Sequence, residues 1–142
     1  MSVIRPRPSL AAARALLESA QLPTADLTDR HCDQFFFSGP IEAPAGLVGL
    51  ELFGNVGLLR SLVVSADARS SGMGSELVVF AESHARAQGV RTLYLLTTTA
   101  EAFFLRRGYS MSDRDTAPRA IQSTREFAGI CPASSAFMSK QI

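Results

Sequence analysis

Leu59–Leu77 reads LRSLVVSADARSSGMGSEL. An apolar, partly β-branched run ends at Val64. A polar loop follows, and Arg69-Ser70-Ser71-Gly72-Met73-Gly74 opens a long helix. Glycine lets a backbone approach a ligand closely. The unpaired N–H groups and the dipole of a helix start favour negative charge. A strand, a glycine-bearing loop and a helix in this order make a pyrophosphate cradle, to which the side chains of Arg69, Ser70, Ser71 and Ser75 add polar groups. A turn and helix cap holding no ligand is the competing reading. The spacing is neither G-x-G-x-x-G nor G-x-x-x-x-G-K-[ST].

Working outward, Met73, Leu77, Phe80, Ala81, His84 and Ala85 share one helical face, and Gly89 stands where a helix should stop. Val90–Thr97 reads as a strand. Thr98 or Thr99 is expected to cap a helix to Arg107, closed by Gly108, and Tyr109–Ser112 follows as a weak strand. Residues 117–128 read as helix or turn and Ser134–Gln141 as a last strand. Upstream, Ala45–Phe53 and Val56–Ser65 flank Gly54-Asn55, a hairpin signal. Gln34–Ser38 is a strand, Ser9 an N-cap for a helix to Ala20, Thr24 a cap for a short helix over Ala25–Thr28, and residues 2–5 an edge strand. Hairpins followed by a strand–helix–strand unit give an α/β (α+β) domain with a mixed, largely antiparallel sheet flanked by helices.

The 142 residues are 46% hydrophobic and 19% charged, enough for one domain over 1–142 with its own core. Fourteen basic residues face 13 acidic ones, so no basic stripe advertises nucleic acid. No apolar run approaches a membrane span and no apolar leader is seen, so the expected location is cytoplasmic. Cys32 and Cys131 are far apart and form no metal-spaced cluster, so neither a structural metal nor a disulfide scaffold is expected.

R-x-x-G-x-G after an apolar strand resembles the acetyl-CoA loop of the GNAT superfamily of N-acetyltransferases. Val90–Tyr109, VRTLYLLTTTAEAFFLRRGY, resembles the next GNAT segment, a strand and a helix ending in a Gly-aromatic pair. Leu58–Val64, Leu93–Glu101 and Glu126–Ser135 resemble GNAT proteins associated with arsenic resistance, a name that fixes no substrate. The resemblance implies the GNAT fold and acetyl-CoA as co-substrate, bound by Leu62, Val64, Arg69, Ser70, Ser71, Gly72, Met73, Gly74, Ser75 and Phe104. The backbone of Leu62 and Val64 would pair with the pantetheine as an added strand does. It implies direct acetyl transfer to a primary amine of a small, amino-acid-like molecule, and a homodimer. The alternative is a catalytically weak GNAT-fold protein that binds CoA or another ligand.

Transfer needs a neutral amine, a polarised carbonyl and a protonated leaving thiolate. The family's usual acid is a Tyr four residues before the glycine of the second block. Here that position is Phe104. Tyr109 follows the glycine, where a packing aromatic belongs; Tyr109, Tyr94 or water are the substitutes. Glu51 is the candidate base, acting through water, against the alternative of a solvated strand carboxylate. Arg60 is the candidate contact for a substrate carboxylate, against an edge or interface salt bridge. His31 and His84 read as structural, and neither cysteine has a recognisable base partner.

Overall fold

Gly54 and Asn55 turn the chain between its two longest strands, and the rest of the sheet grows from that hairpin. The computed structural model describes residues 2–142. Strands β3 (Gly46–Phe53) and β4 (Val56–Val64) pair antiparallel. Gly54 takes φ +70°, a conformation open to glycine without a Cβ penalty.

With β1 (Ile4–Pro6), β2 (Phe35–Ser38), β5 (Thr92–Thr97), β6 (Ser110–Met111) and β7 (Ala136–Gln141) they form a seven-stranded sheet in the order β1-β2-β3-β4-β5-β7-β6. Every neighbouring pair is antiparallel except β4 and β5. Those two are joined by the long helix α3 (Met73–Ala87), as a parallel pair requires a crossover. The mixed, largely antiparallel sheet flanked by helices is the architecture expected from the sequence.

Both faces are covered, which explains uninterrupted apolar strands such as Phe35-Phe36-Phe37. Successive side chains point to opposite faces. Phe35, Phe37, Leu47 and Val63 pack under α1 (Leu10–Ser19) with Ala13 and Leu17. Phe36, Val48, Leu50 and Leu59 pack under α3 with Leu77, Val78 and Ala81. Phe104 of α4 (Glu101–Arg106) joins this second core. Leu58 and Phe137 meet Ile121 of α5 (Arg119–Gln122) on the first face. Gly49 is required because a Cβ there would sit 2.2 Å from the Phe35 ring.

One irregularity shapes the site. The β3–β4 register shifts between Leu47 and Gly49, and Ser61 on the bulged strand takes φ +59°. A bulge bends its strand away from its neighbour. β4 is matched to β5 only from Val56 to Leu58, whereas β5 stays paired with β7 as far as Thr97 and Ala136. The C-terminal halves of β4 and β5 therefore part.

Three boundary expectations change. Residues 25–28 are not a helix; Thr28 instead caps α2 (Asp29–Cys32), its N–H donating to His31 Nδ1 at 3.2 Å. Burying Leu27 in the first core holds the preceding turn open. Neither Thr98 nor Thr99 caps α4: Ala100 is the cap residue, and its N–H donates to Thr97 Oγ1 at 3.0 Å. Residues 117–128 split into α5 and a π-helical turn, Glu126–Ile130. Ser9 caps α1 as expected, accepting the Ala12 N–H at 3.2 Å.

Candidate active site

The parting of β4 and β5 opens a cleft of about 820 Å³. Leu59–Val64 form one wall, Leu95–Ala100 the other, and Phe104 lies between them. The α1–α2 connection around Leu22 and the segment around Glu126, Cys131 and Ser135 close its inner end.

Arg69 lines the outer mouth, and the start of α3 follows it in the chain, outside the cleft's lining. Its cap residue Gly72 has φ +86°, and a Cβ there would meet nothing within 4 Å. Ser70 is also left-handed, at φ +67°. Two left-handed residues just before a helix aim successive N–H groups outward. Arg69 lines the cleft and its Nε donates to the Val64 carbonyl at 3.2 Å, tying the loop to the end of β4. One expected hydroxyl donor, Ser71, is spent internally, and the other, Ser75, is held as an acceptor. Ser71 Oγ donates to the Ala68 carbonyl at 2.5 Å, and Ser75 Oγ accepts from Arg107, whose guanidinium lies 4.5 Å from the Phe103 ring. The Met73 N–H donates to Ser71 Oγ at 3.4 Å, so the N–H groups of Gly72, Gly74 and Ser75, with Arg69, are left as the groups for an anion. This arrangement suits a pyrophosphate, and the unpaired edge of β4 suits an extended chain such as pantetheine.

The inner end is built on Arg60. Its side chain has no solvent exposure. NH1 donates to Asp26 Oδ2 at 2.5 Å and to Glu51 Oε2 at 2.8 Å, and NH2 to Asp26 Oδ1 at 2.8 Å. NH2 also lies 3.2 Å from Glu126 Oε2, and Nε donates to Ser61 Oγ at 3.1 Å. A buried arginine needs such company, because an uncompensated charge in the interior is strongly destabilising. Burial alone would lower the Arg60 pKa; its carboxylate partners outweigh that and raise it. Burial works against ionised Asp26 too, but the Arg60 hydrogen bonds and charge win and hold its pKa below the ordinary range. Glu126 goes the other way. Burial, with Asp26 and Glu51 close by, outweighs Arg60 and pushes its carboxyl up to about 7.

The expected site residues separate in space. Leu62, Val64, Arg69 and Phe104 line the cleft. Arg60 lines it as well, but each of its guanidinium nitrogens already has an internal partner, leaving none for a substrate carboxylate. Glu51 instead lines a smaller cavity of about 200 Å³, with Asp26 and His31. These three offer ligand atoms within 4.8 Å of one another. Asp26 and Glu51 are spent on Arg60, however, and His31 Nδ1 accepts the Thr28 N–H, which puts the ring proton on Nε2. That set does not favour a metal.

Tyr109 is buried and donates to Glu82 Oε2 at 2.9 Å, with Lys140 Nζ 3.0 Å from the same oxygen. Burial and the Glu82 charge raise its pKa, so it keeps its proton in the core. Tyr94 stacks on Phe137 with ring centroids 5.5 Å apart. Burial pushes the Cys131 thiol up to about 12 and raises Cys32 too, so neither is a thiolate.

Glu126 and Ser135 are the cleft residues that sequence reading passed over as polar groups. Glu126 is 4% exposed and Ser135 5%. Among the described residues Ser135 Oγ has no hydrogen-bond partner. The available signal was a lone carboxylate before the apolar run Phe127–Ile130, which looks like any helix-start acid.

The acetyltransferase (GNAT) family model matches residues 9–109, and this chain belongs to that family. The amino-acid acetyltransferase of Ectopseudomonas mendocina is 42% identical over 67 residues, 47% of this chain and 16% of the relative. That of Ralstonia nicotianae is 38% identical over 63 residues, 44% of this chain and 14% of the relative. The matched stretch thus spans about a sixth of the length of these relatives. Among solved structures, N-acetylglutamate synthase from Neisseria gonorrhoeae, complexed with coenzyme A and N-acetyl-glutamate, superposes with a TM-score of 0.81 at 22% identity, covering 99% of this chain and 35% of that one. A Mycobacterium tuberculosis protein in complex with CoA gives 0.78 at 16% identity over 99% of both chains.

Proposed function

We propose that this chain transfers an acetyl group from acetyl-CoA to the primary amine of a small, amino-acid-like molecule. One observation carries the reading: a single cleft runs from Arg69, just before α3, to Arg60 and Glu126. An anion-binding mouth and a titratable inner end are the two halves such a reaction needs. The names of the curated relatives, amino-acid acetyltransferases, support the acceptor class.

In this reading the N–H groups of Gly72, Gly74 and Ser75, with Ser70 and the Arg69 guanidinium, hold the pyrophosphate, while Ser71 and Met73, bonded to each other, fix the loop. The backbone of Leu62 and Val64 pairs with the pantetheine arm, laying the thioester beside Phe104. Phe104 offers an apolar wall and no proton. Arg60 and Glu51 act as a fixed charge pair that shapes the acceptor end. Residues 1–142 form one acetyltransferase domain, cytoplasmic and homodimeric. The likeness of Leu58–Val64, Leu93–Glu101 and Glu126–Ser135 to arsenic-resistance-associated acetyltransferases is a proposal about lineage only.

Release of free thiol from acetyl-CoA, followed across a panel of amino acids and other primary amines, tests this. Amine-dependent release is expected. Binding of acetyl-CoA with no thiol release for any amine would favour the binding-protein alternative, which Phe104 at the acid position keeps open.

A further inference from the structure

Around Arg60, at and behind the inner end of the cleft, negative charge outnumbers positive. Three carboxylates, Asp26, Glu51 and Glu126, converge on the one guanidinium of Arg60. All the nitrogens of that guanidinium are engaged, so it has no donor left for a ligand. His31 Nε2 approaches Asp26 Oδ2 to 3.9 Å on the side away from the cleft. Cys131 stands near Glu126 and keeps its proton, and Arg114 on the adjoining segment is turned to the Ser135 carbonyl. Among the described residues the other arginine lining the cleft is Arg69, at the opposite mouth.

Two buried polar groups reach the cleft here. Glu126, on the π-helical turn, reaches the cleft with Arg60 on one side. Ser135, at the entry to β7, lines the same cleft with a buried, unpartnered hydroxyl. Leaving a buried hydroxyl unpaired is costly, which marks the place where a ligand group completes the bond.

We propose that this inner end is an ammonium site: Glu126 takes the proton of the acceptor amine, Ser135 Oγ hydrogen-bonds the same nitrogen, and acceptors with an acidic side chain are rejected. This rests on the acetyl-transfer reading above. The amine enters as an ammonium drawn by the surplus carboxylate. One proton passes from its nitrogen to the Glu126 carboxylate and on to water. The nitrogen then forms the bond to the acetyl carbon as the carbon–sulfur bond breaks, and its second proton ends on the departing sulfur as free thiol. An acidic side chain would find no free cation here and would face Glu126, with Asp26 and Glu51 behind Arg60 adding to a repulsion that discriminates without any new contact.

The test takes the full chain, acetyl-CoA, and L-glutamine against L-glutamate. Glutamine is expected to exceed glutamate in kcat/KM by about tenfold or more, since like charges brought together cost more than the about 1.4 kcal/mol that a factor of ten represents. Glu126→Gln is expected to bind acetyl-CoA as the wild type does, lower kcat by about a hundredfold and lose the acid limb of the kcat–pH profile. Glu126→Asp should restore the limb and part of the rate. Equal use of glutamate and glutamine, or a Glu126→Gln enzyme with wild-type kcat and the same limb, overturns the proposal while leaving acetyl transfer standing. If Glu126→Gln fails to bind acetyl-CoA, Ser135→Ala decides: kcat about tenfold lower with an unchanged melting temperature supports the site, and unchanged kcat overturns it. A wild type that releases thiol with no amine overturns the acetyl-transfer reading and this one together.

Discussion

Glu126 should cost the folded protein stability at neutral pH, and the size of that cost follows from its surroundings. The carboxyl titrates near its ordinary 4.5 in the unfolded chain and at about 7 in the fold, because burial and two neighbouring carboxylates outweigh Arg60. For a group whose folded pKa is raised, the fold prefers the protonated form. Below about pH 4.5 both states carry the proton and nothing is lost. Between 4.5 and 7 the unfolded chain releases its proton first and stability falls with rising pH; above 7 the loss is complete. That difference corresponds to about 3 kcal/mol, most of which develops between pH 5 and pH 8. Glu126→Gln keeps the shape and removes the titration. Its stability relative to wild type should therefore rise by about 2–3 kcal/mol from pH 5 to pH 8, about 10 °C in melting temperature for a chain of this length. Asp26, also shifted, titrates below this window in both proteins and cancels in the difference. Thermal melts of both proteins at the two pH values give the number. A difference that stays constant between pH 5 and pH 8 would refute the reasoning. The expected pattern, a variant more stable and less active, is the usual relation between a strained site and its function.

Other consequences are equally concrete. Arg60→Met should remove about 3–5 kcal/mol at pH 7 by leaving Asp26, Glu51 and Glu126 without their shared cation; chemical denaturation reads the loss, and wild-type stability would contradict the hub. Gly49→Ala should cost about 1–3 kcal/mol, since its Cβ would lie 2.2 Å from the Phe35 ring, and a melting temperature within error of wild type would show that the ring yields freely. Tyr109→Phe should cost about 1–2 kcal/mol by deleting the bond to Glu82 while leaving the rate of thiol release unchanged. A large loss of kcat in that variant would return Tyr109 to the chemistry.

The sheet was legible because its signals are local. Gly54-Asn55 marks the hairpin, and apolar runs such as Phe35–Phe37 require cover on both faces. The start of α3 was legible for the same reason: glycines at fixed offsets after an apolar strand mean a particular backbone. The cap of α2 was not, because burying Leu27 settles where the turn ends, and that depends on α1 and β2. The inner cluster was hidden most deeply. Asp26, Glu51, Arg60 and Glu126 lie on four separate segments, and only the folded sheet brings three acids to one guanidinium. Arg60 stood out as a charge within an apolar strand. Its partners, and hence its lack of a free donor, are facts of tertiary structure.

The central claim, that the cleft between β4 and β5 receives acetyl-CoA at the start of α3, meets its most direct test in a calorimetric titration. Acetyl-CoA would be titrated into the wild type and into Gly72→Glu. The substitution puts a carboxylate, on a residue held at φ +86°, where the pyrophosphate is expected. Saturable one-to-one binding by the wild type, weakened by about tenfold or more in the variant through like-charge repulsion, is the expected result. Absence of binding by the wild type, or equal affinity in the two proteins, would contradict it.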